Sequence, residues 1–499
     1  MSVAGLDDTR HKSGMAGTIF GQVSAWLWFG AGLFLLFVIG GNRALQDADT
    51  YWQIVVGQWI IDHRAFPTVD VYSFTKTGAP WISSSWLAQV LYAASYSALG
   101  WAGPVILAGL TTSAAFALVA RILSKRFAPV HALIVAMAAT VLSADHFLAR
   151  PHLLALPVMV LWVNGLVNAS DERRAPSFWL LPLITLWTNL HGGFVFGLAL
   201  IAPFALDAVW NAERSQRVSL ALRWAMFGGC AVVASWITPY GWDSLLAARR
   251  ILDLGHAMAQ IPEWQPVDFS SLGPFEICML AAVGLVLWRG VVLSPPRILL
   301  VLGLLHMALS HVRNVEVLAL LMPLVLMQPL AVRFGRTDIV SAPRGAAGIA
   351  AAIGITAIAT WAFVAHHTFT PVAGYTPVAA VDVLKARKVE RILHNAGFGG
   401  YLITRGIPVF FDGRGELYGD DFLVRTFDAL ALKDVGAFFG LLEDYRIDAT
   451  MLKPTTAAAS LLDHVEGWQR IYADDKVVVH IRKPGARGPV VKPAESTQR

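Results

Sequence analysis

The chain has 499 residues, 56% of them hydrophobic and only 15% charged, with a mean hydropathy of +0.56. Soluble domains carry about 25% charge, so this balance excludes a disordered chain, an ordinary soluble enzyme and a nucleic-acid binder built on a basic face. The net charge of +5 reads as loop charge that orients membrane helices, and the two cysteines, Cys230 and Cys278, lie in apolar runs where neither a disulfide framework nor a thiolate metal site is expected.

A spanning helix needs about 20 apolar residues. The first candidate, 19–41, follows Arg10 and Lys12. It is longer than the apolar core of a cleaved leader and reads as a retained span. Further apolar runs at 103–120, 129–146, 152–168, 177–190, 192–210, 224–239, 273–288, 297–312, 314–332 and 345–365 bring the expectation to eleven spans. Two connections are very short, Asn189-Leu190-His191-Gly192-Gly193 and His311-Val312-Arg313-Asn314. With the N-terminus (1–18) in the cytoplasm, the cytoplasmic connections hold most of the loop Lys and Arg, among them Arg121, Lys125, Arg126, Arg173, Arg174, Arg214 and Arg217. That bias follows the positive-inside rule. An odd number of spans then places everything after about residue 366 outside the cytoplasm.

Between the first two spans lies a long outer loop, about 42–100. Within it Trp52, Val55, Val56, Trp59 and Ile60 fall at helical spacing, with Gln53, Gln58 and Asp62 elsewhere. This pattern predicts an amphipathic helix lying on the membrane. At 83–100, Ser85, Gln89, Tyr92 and Tyr96 recur along one helical face. A crossing there would put Arg121, Lys125 and Arg126 outside, so this segment reads as a second interfacial helix. After about residue 370 the composition becomes ordinary. Strand-like runs at 409–411, 449–452 and 477–481, with helical patterns near 379–396, 421–445 and 455–466, predict a small α/β domain over 366–483, followed by a disordered tail, 484–499. The fold class expected is thus an all-α polytopic membrane protein with a small C-terminal extracytoplasmic α/β domain.

The sharpest polar feature is Asp47-Ala48-Asp49-Thr50-Tyr51-Trp52, just past the first span. Either carboxylate could simply cap the helix that follows. The functional reading is a general base, or a carboxylate pair holding a divalent cation, at the membrane surface. On the same expected side, Arg150 and His152 close the third span, His191 sits in one tight turn, and His311 and Arg313 sit in the other. Each taken singly could be a snorkelling or bundle-pairing residue. Ionisable groups at that depth are otherwise candidates for function. A basic, imidazole-rich cluster opposite a carboxylate suits a phosphate-bearing leaving group. Glu263, in Pro262-Glu263-Trp264-Gln265-Pro266, could help bind an acceptor, although Pro and Trp there also suit a plain turn at the interface. Asp412-Gly413-Arg414 in the tail reads either as a turn with a local ion pair or as a ligand contact.

This order of features resembles the type C superfamily of glycosyltransferases. These are multi-spanning enzymes that use lipid-phosphate-linked sugars, and they include protein O-mannosyltransferases, the transferases that put aminoarabinose on lipid A, and oligosaccharyltransferase catalytic subunits. In the first two branches an acidic motif with a downstream Tyr follows the first span, and Asp47 and Tyr51 match it. Ala48 stands where a second acidic residue is usual, which leaves Asp49 as the second carboxylate. Residues 87–99 and 104–125, with Ala120-Arg121-Ile122-Leu123, look like the amphipathic helix and second span that follow the motif. The whole chain also resembles a group of bacterial inner-membrane proteins with an Asp-x-Asp-Thr-(aromatic)-Trp motif, a Trp-x-Asn-x-His-Gly-Gly turn, a Pro-Tyr-Gly loop and an Asp-Gly-Arg tail motif. Here these are 47–52, 187–193, 239–241 and 412–414.

The resemblance implies a multi-pass protein of a bacterial inner membrane with its tail domain in the periplasm. It implies an inverting glycosyltransferase whose donor is a polyprenyl-phosphate-linked sugar and whose acceptor is a lipid, glycan or protein. Nucleic acid is not an expected partner, and membrane lipid is. In that reading Asp47 takes the acceptor's proton, and Asp49 orients it or shares a divalent cation with it. Arg150, His152, His191, His311 and Arg313 receive the phosphate, Glu263 faces the acceptor, and Tyr51 completes the motif. Two other classes fit the composition, a transporter or flippase of lipid-linked sugar and a non-catalytic membrane component of a polysaccharide assembly complex. A transporter would be expected to carry internal repeats, and none is visible.

Overall fold

The computed structural model describes residues 25–335 and 346–485. The N-terminal segment 1–18, the start of the first expected span and residues 486–499 of the expected disordered tail lie outside the described residues.

Each apolar run lies on a helix. Six helices are long and apolar enough to cross a membrane, or seven if Asn314–Val325 and Met327–Phe334 count as one bent span. Ala25–Ile39, Phe178–Leu190 and Pro295–Ser310 are apolar but shorter. Length and composition therefore carry six or seven crossings among the described residues, not the full eleven. Prolines set the breaks. Pro329 has no N–H for the carbonyl of Val325 and its ring crowds that carbonyl, and the chain bends there by 52°. Pro203 does the same one turn past Ala199, separating Phe194–Ala199 from Ile201–Asn211.

Ala102–Leu123 and Pro151–Asp171 form the centre of the bundle. Their small and branched side chains, such as Ala108, Ala115, Val119, Val160 and Val163, are buried against one another and their neighbours. Outer helices expose Leu222, Leu287, Trp288, Leu299 and Trp361. A water-soluble surface rarely carries so much large apolar area. At one end of the bundle Arg297 is clasped by Asp171 at 2.6 Å and Asp207 at 2.5 Å, with Ser170 donating to Asp207 at 2.8 Å.

The tail domain sits at the other end. Its sheet has the order β1-β2-β4-β3, from β1 (Ile392–His394), β2 (Ala449–Leu452), β3 (Trp468–Ala473) and β4 (Val478–Arg482). β1 and β2 are parallel and the other pairs antiparallel. β1 and β2 are wholly buried, which is why they read as short unbroken apolar runs rather than alternating ones. The expected strand at 409–411 is instead an extended segment paired with the first loop. Val409 N–H donates to Tyr72 O at 3.0 Å, and Phe74 N–H donates back to Val409 O at 3.1 Å.

The first loop is where expectation and structure differ most. Its helix Asp49–His63 does not rest its apolar stripe on a bilayer. Tyr51, Trp52, Val56 and Ile60 share a core with Val381, Leu384, Phe398 and Leu402 of the tail domain. The helix Trp86–Leu99 turns its polar stripe inward, with Gln89 and Tyr92 buried. Gln89 Nε2 donates to Gln53 Oε1 at 2.7 Å, and Tyr92 O–H donates to Arg150 O at 3.0 Å. The two helices touch backbone to side-chain position at Gly57, where a Cβ would lie 2.0 Å from Gln89 O. Arg414 ties loop to domain. It reaches Asp70 and Asp412 at 2.6 Å each, all three fully buried or nearly so, and its guanidinium stacks on Trp81 at 4.8 Å. The tail domain's core is thus completed by the first loop.

Candidate functional site

Four segments converge where the bundle meets the tail domain. The turn after Ala25–Ile39 brings Asp47, and the start of Asp49–His63 brings Asp49. Neither carboxylate caps that helix; its N-cap is Ala48 and no side chain bonds there. Ala48 also has a packing role, because its carbonyl lies against Gly400 of the tail helix Ala396–Thr404. Arg150 precedes Pro151, which forces it into an extended conformation (φ −116°, ψ 159°) and turns the chain abruptly into the helix Pro151–Asp171. Two bonds pin this corner to the first loop. Ala149 N–H donates to Ala44 O at 2.8 Å, and Thr50 Oγ1–H donates to Ala149 O at 3.1 Å.

Arg150 is the hub. Its Nε and Nη2 grip the two oxygens of Asp47 at 2.8 and 2.5 Å, Nη2 lies 3.5 Å from Asp49 Oδ2, and Nη1 donates to both oxygens of Glu263 at 3.2 Å. Asp49 Oδ1 accepts from Trp52 Nε1 at 3.0 Å. The opposite wall is Gly413 of the tail motif, where a Cβ would lie 2.0 Å from Asp49 Oδ1. The Asp-Gly-Arg motif therefore closes over the carboxylate cluster, with glycine at the one position that has no room for a side chain.

Glu263 arrives on a short turn, Pro262–Trp264, that is zipped to the second tight connection. Arg313 N–H donates to Glu263 O at 3.0 Å, Val312 N–H to Gln265 O at 2.9 Å, and His311 Nδ1 lies 2.7 Å from Trp264 O. His311 thus holds the turn. Arg313 stacks over the Trp264 ring at 4.2 Å and makes no salt bridge among the described residues. Behind this, the His152 and His191 rings lie 6.2 Å apart. His191 Nδ1 accepts from Gly193 N–H at 3.1 Å, which puts the proton of the neutral ring on Nε2. His152 Nε2 faces His146 O at 3.1 Å and Glu316 at 3.8 Å.

The electrostatics follow from burial under like charge. Burial, then the charge of Asp47, raises the Asp49 carboxyl to about 6, against the pull of Arg150 and Trp52. Burial works against the charge on Arg150, but Asp47 foremost, with Asp49 and Glu263, overrides it and holds the guanidinium well above its ordinary range. Burial, then Arg313, lowers His191 to about 4, so it is a neutral imidazole near pH 7.

The structure thus brings Asp47, Asp49, Arg150 and Glu263 into one cluster, with Arg313, His152 and His191 beside it. It does not bring Tyr51 there. The Tyr51 hydroxyl bonds Thr376 Oγ1 at 2.6 Å and its ring packs edge-on against Trp101 and Tyr401, in the interface with the tail. Glu316 is a further member of the site that the sequence pattern does not single out. It is buried beside His152, and its Oε1 has no hydrogen-bond partner. The signal was present, since it is a single acid opening the apolar run after Arg313. In the sequence Gly413 stands only as part of a motif, and Trp52 as part of a motif and of an apolar helical stripe.

No protein-family model matches the chain, and no curated protein matches it in sequence. Among solved structures it is similar to the oligosaccharyltransferase AglB of Archaeoglobus fulgidus. This holds for the complex with an inhibitory peptide and a dolichol-phosphate and for the apo form, each at TM-score 0.50 and 11% identity, over 86% of this chain and 69% of that one. At that identity the likeness is one of fold.

Proposed function

We propose that the chain is a membrane glycosyltransferase that moves a sugar from a polyprenyl-phosphate donor to a hydroxyl or amide of a lipid, glycan or protein. It would do so at the periplasmic face of a bacterial inner membrane. The reading includes eleven crossings, with the N-terminus in the cytoplasm and the tail domain, 366–483, outside. The observation that carries it is the carboxylate cluster on Arg150, built where the first loop, the bundle and the tail domain meet, in a fold shared with an oligosaccharyltransferase.

Of the two aspartates the geometry favours Asp49 as the proton acceptor rather than Asp47. Both oxygens of Asp47 are committed to Arg150, whereas Asp49 has one long contact to it and a carboxyl raised to about 6. A base is most effective when its pKa lies near the working pH. In the step proposed, the acceptor's proton passes to Asp49 as its heteroatom bonds the anomeric carbon. The bond from that carbon to the phosphate oxygen breaks on the opposite face, so configuration inverts. The polyprenyl phosphate leaves with the electron pair, and Arg313 and the Nε2–H of His191 stabilise its charge. Asp47 holds Arg150 in place, His311 holds the turn of Glu263, and Glu263 and Tyr51 act through the architecture rather than on the sugar.

The test is cellular. Surface glycans and lipid-linked sugars are compared by mass spectrometry in a deletion strain complemented with wild type or with Asp49→Asn. The proposal expects the variant to insert normally, to lose one sugar from the acceptor and to accumulate the donor. A wild-type glycan profile in the variant would refute it.

A further inference from the structure

Asp47 and Asp49 at the start of the first loop and Glu263 from the turn Pro262–Trp264 meet at one centre, which is how proteins assemble an oxygen-ligand site for a hard divalent cation. In this chain the centre is filled. The Arg150 guanidinium occupies it, held by the corner before Pro151 and by Tyr92 and Thr50 on the adjacent backbone. All six carboxylate oxygens face an N–H donor. Asp47 takes Nε and Nη2, Glu263 takes Nη1 on both oxygens, and Asp49 divides between Nη2 and the Trp52 indole. Gly413 closes one side of Asp49, where a Cβ would lie 2.0 Å from Oδ1. Among the described residues no group of three His, Cys, Asp or Glu side chains is arranged to hold a metal.

We infer that Arg150 stands in the place of a divalent cation, so that the cluster does not take up a metal while Arg150 is present. A guanidinium is permanently charged and offers fixed N–H donors, so it can keep the carboxylates apart and in register without being exchanged or chelated. It carries one positive charge where a metal would carry two. That leaves the cluster net negative and is in keeping with the raised carboxyl of Asp49. The inference bears on catalysis only through the transferase reading, but its test does not need that reading to hold.

The experiment is Mn2+ binding, followed by electron paramagnetic resonance, to the full chain in lipid nanodiscs, free of activity assays. The wild type is expected to bind no Mn2+ at the cluster, and Asp47→Asn is expected to change nothing in its titration. Arg150→Ala removes the guanidinium and is expected to bind one Mn2+ per chain where the wild type binds none, binding lost again in Arg150→Ala/Asp49→Asn. One Mn2+ per wild-type chain, released by Asp47→Asn, would overturn the inference, and that measurement stands even if Arg150→Ala does not fold. A folded Arg150→Ala protein that binds no Mn2+ would overturn it as well. If transfer activity is absent while these binding results hold, the transferase reading fails and the inference survives.

Discussion

Two arginines, one at each end of the bundle, are each held by carboxylates, yet they differ in what surrounds them. At the end away from the tail domain, Arg297, Asp171 and Asp207 are 6%, 15% and 4% exposed, and serine hydroxyls fill the remaining acceptor positions of Asp207. At the tail-domain end, Arg150, Asp49 and Glu263 are 24%, 27% and 31% exposed, and only Asp47 is fully buried at 4%. Here three carboxylates share one guanidinium, and a fourth acid, Glu316, lies buried nearby with an oxygen unpaired. The same side-chain chemistry is a closed fastening in one place and an open, partly exposed cluster in the other. Solvent access, rather than the presence of buried ions, separates the candidate site from a structural triad.

That contrast can be broken or sharpened by substitution, starting with the largest effect. Asp49→Asn should lower sugar transfer by about 10³-fold, within the range for loss of a general base, measured as initial rate in nanodiscs. Its folded stability should move the other way. The carboxyl sits above its unfolded value, so the folded state favours the protonated form and pays for ionisation above pH about 6. Asparagine removes that penalty, and a rise in melting temperature at pH 7 is expected, with no rise at pH 4. Arg297→Ala should do the reverse. It leaves two buried carboxylates without their counter-ion, costs about 3–5 kcal/mol of stability, and leaves the turnover of the surviving folded protein unchanged. A fall in turnover with stability intact would erase the distinction between the two ends.

Next, Arg313→Ala should lower turnover by about 10²-fold with little change in stability, because the side chain stacks on Trp264 and is bound by no carboxylate among the described residues. Gly413→Ala should push Asp49 out of register and lower turnover by roughly tenfold to 10²-fold, as small misplacements of reacting groups do. The smallest effect is the pH profile. Transfer should fall tenfold per pH unit as pH drops below about 6, because protonated Asp49 cannot accept the acceptor's proton. That limb should be absent from Asp49→Asn.

Much of the bundle was legible because lipid-facing helices need long apolar runs whatever their partners. The acidic motif and Arg150 also stood out, since charge at the edge of an apolar run is rare. What the sequence did not reveal was which charges meet. Asp47 and Arg150 are 103 positions apart, and an arginine expected to await a phosphate is occupied by carboxylates. The first loop's helix differs from its sequence pattern for a related reason. An apolar stripe such as Trp52, Val56 and Ile60 has the same periodicity whether a bilayer or a protein domain covers it, and here Phe398 and Leu402 of the tail domain share its core. Likewise Val409–Phe411 has the composition of a strand, but its backbone partner lies at Tyr72–Phe74, more than 300 residues earlier.

The central claim is that the cluster on Arg150 transfers a sugar from a lipid phosphate. The most direct test supplies purified wild-type protein and Asp49→Asn in nanodiscs with a polyprenyl-phosphate-linked sugar and an acceptor extract, and follows release of polyprenyl phosphate by mass spectrometry. The account predicts acceptor-dependent release with an inverted anomeric linkage in the product, abolished in Asp49→Asn. Equal release by both proteins, or transfer with retained configuration, would contradict it.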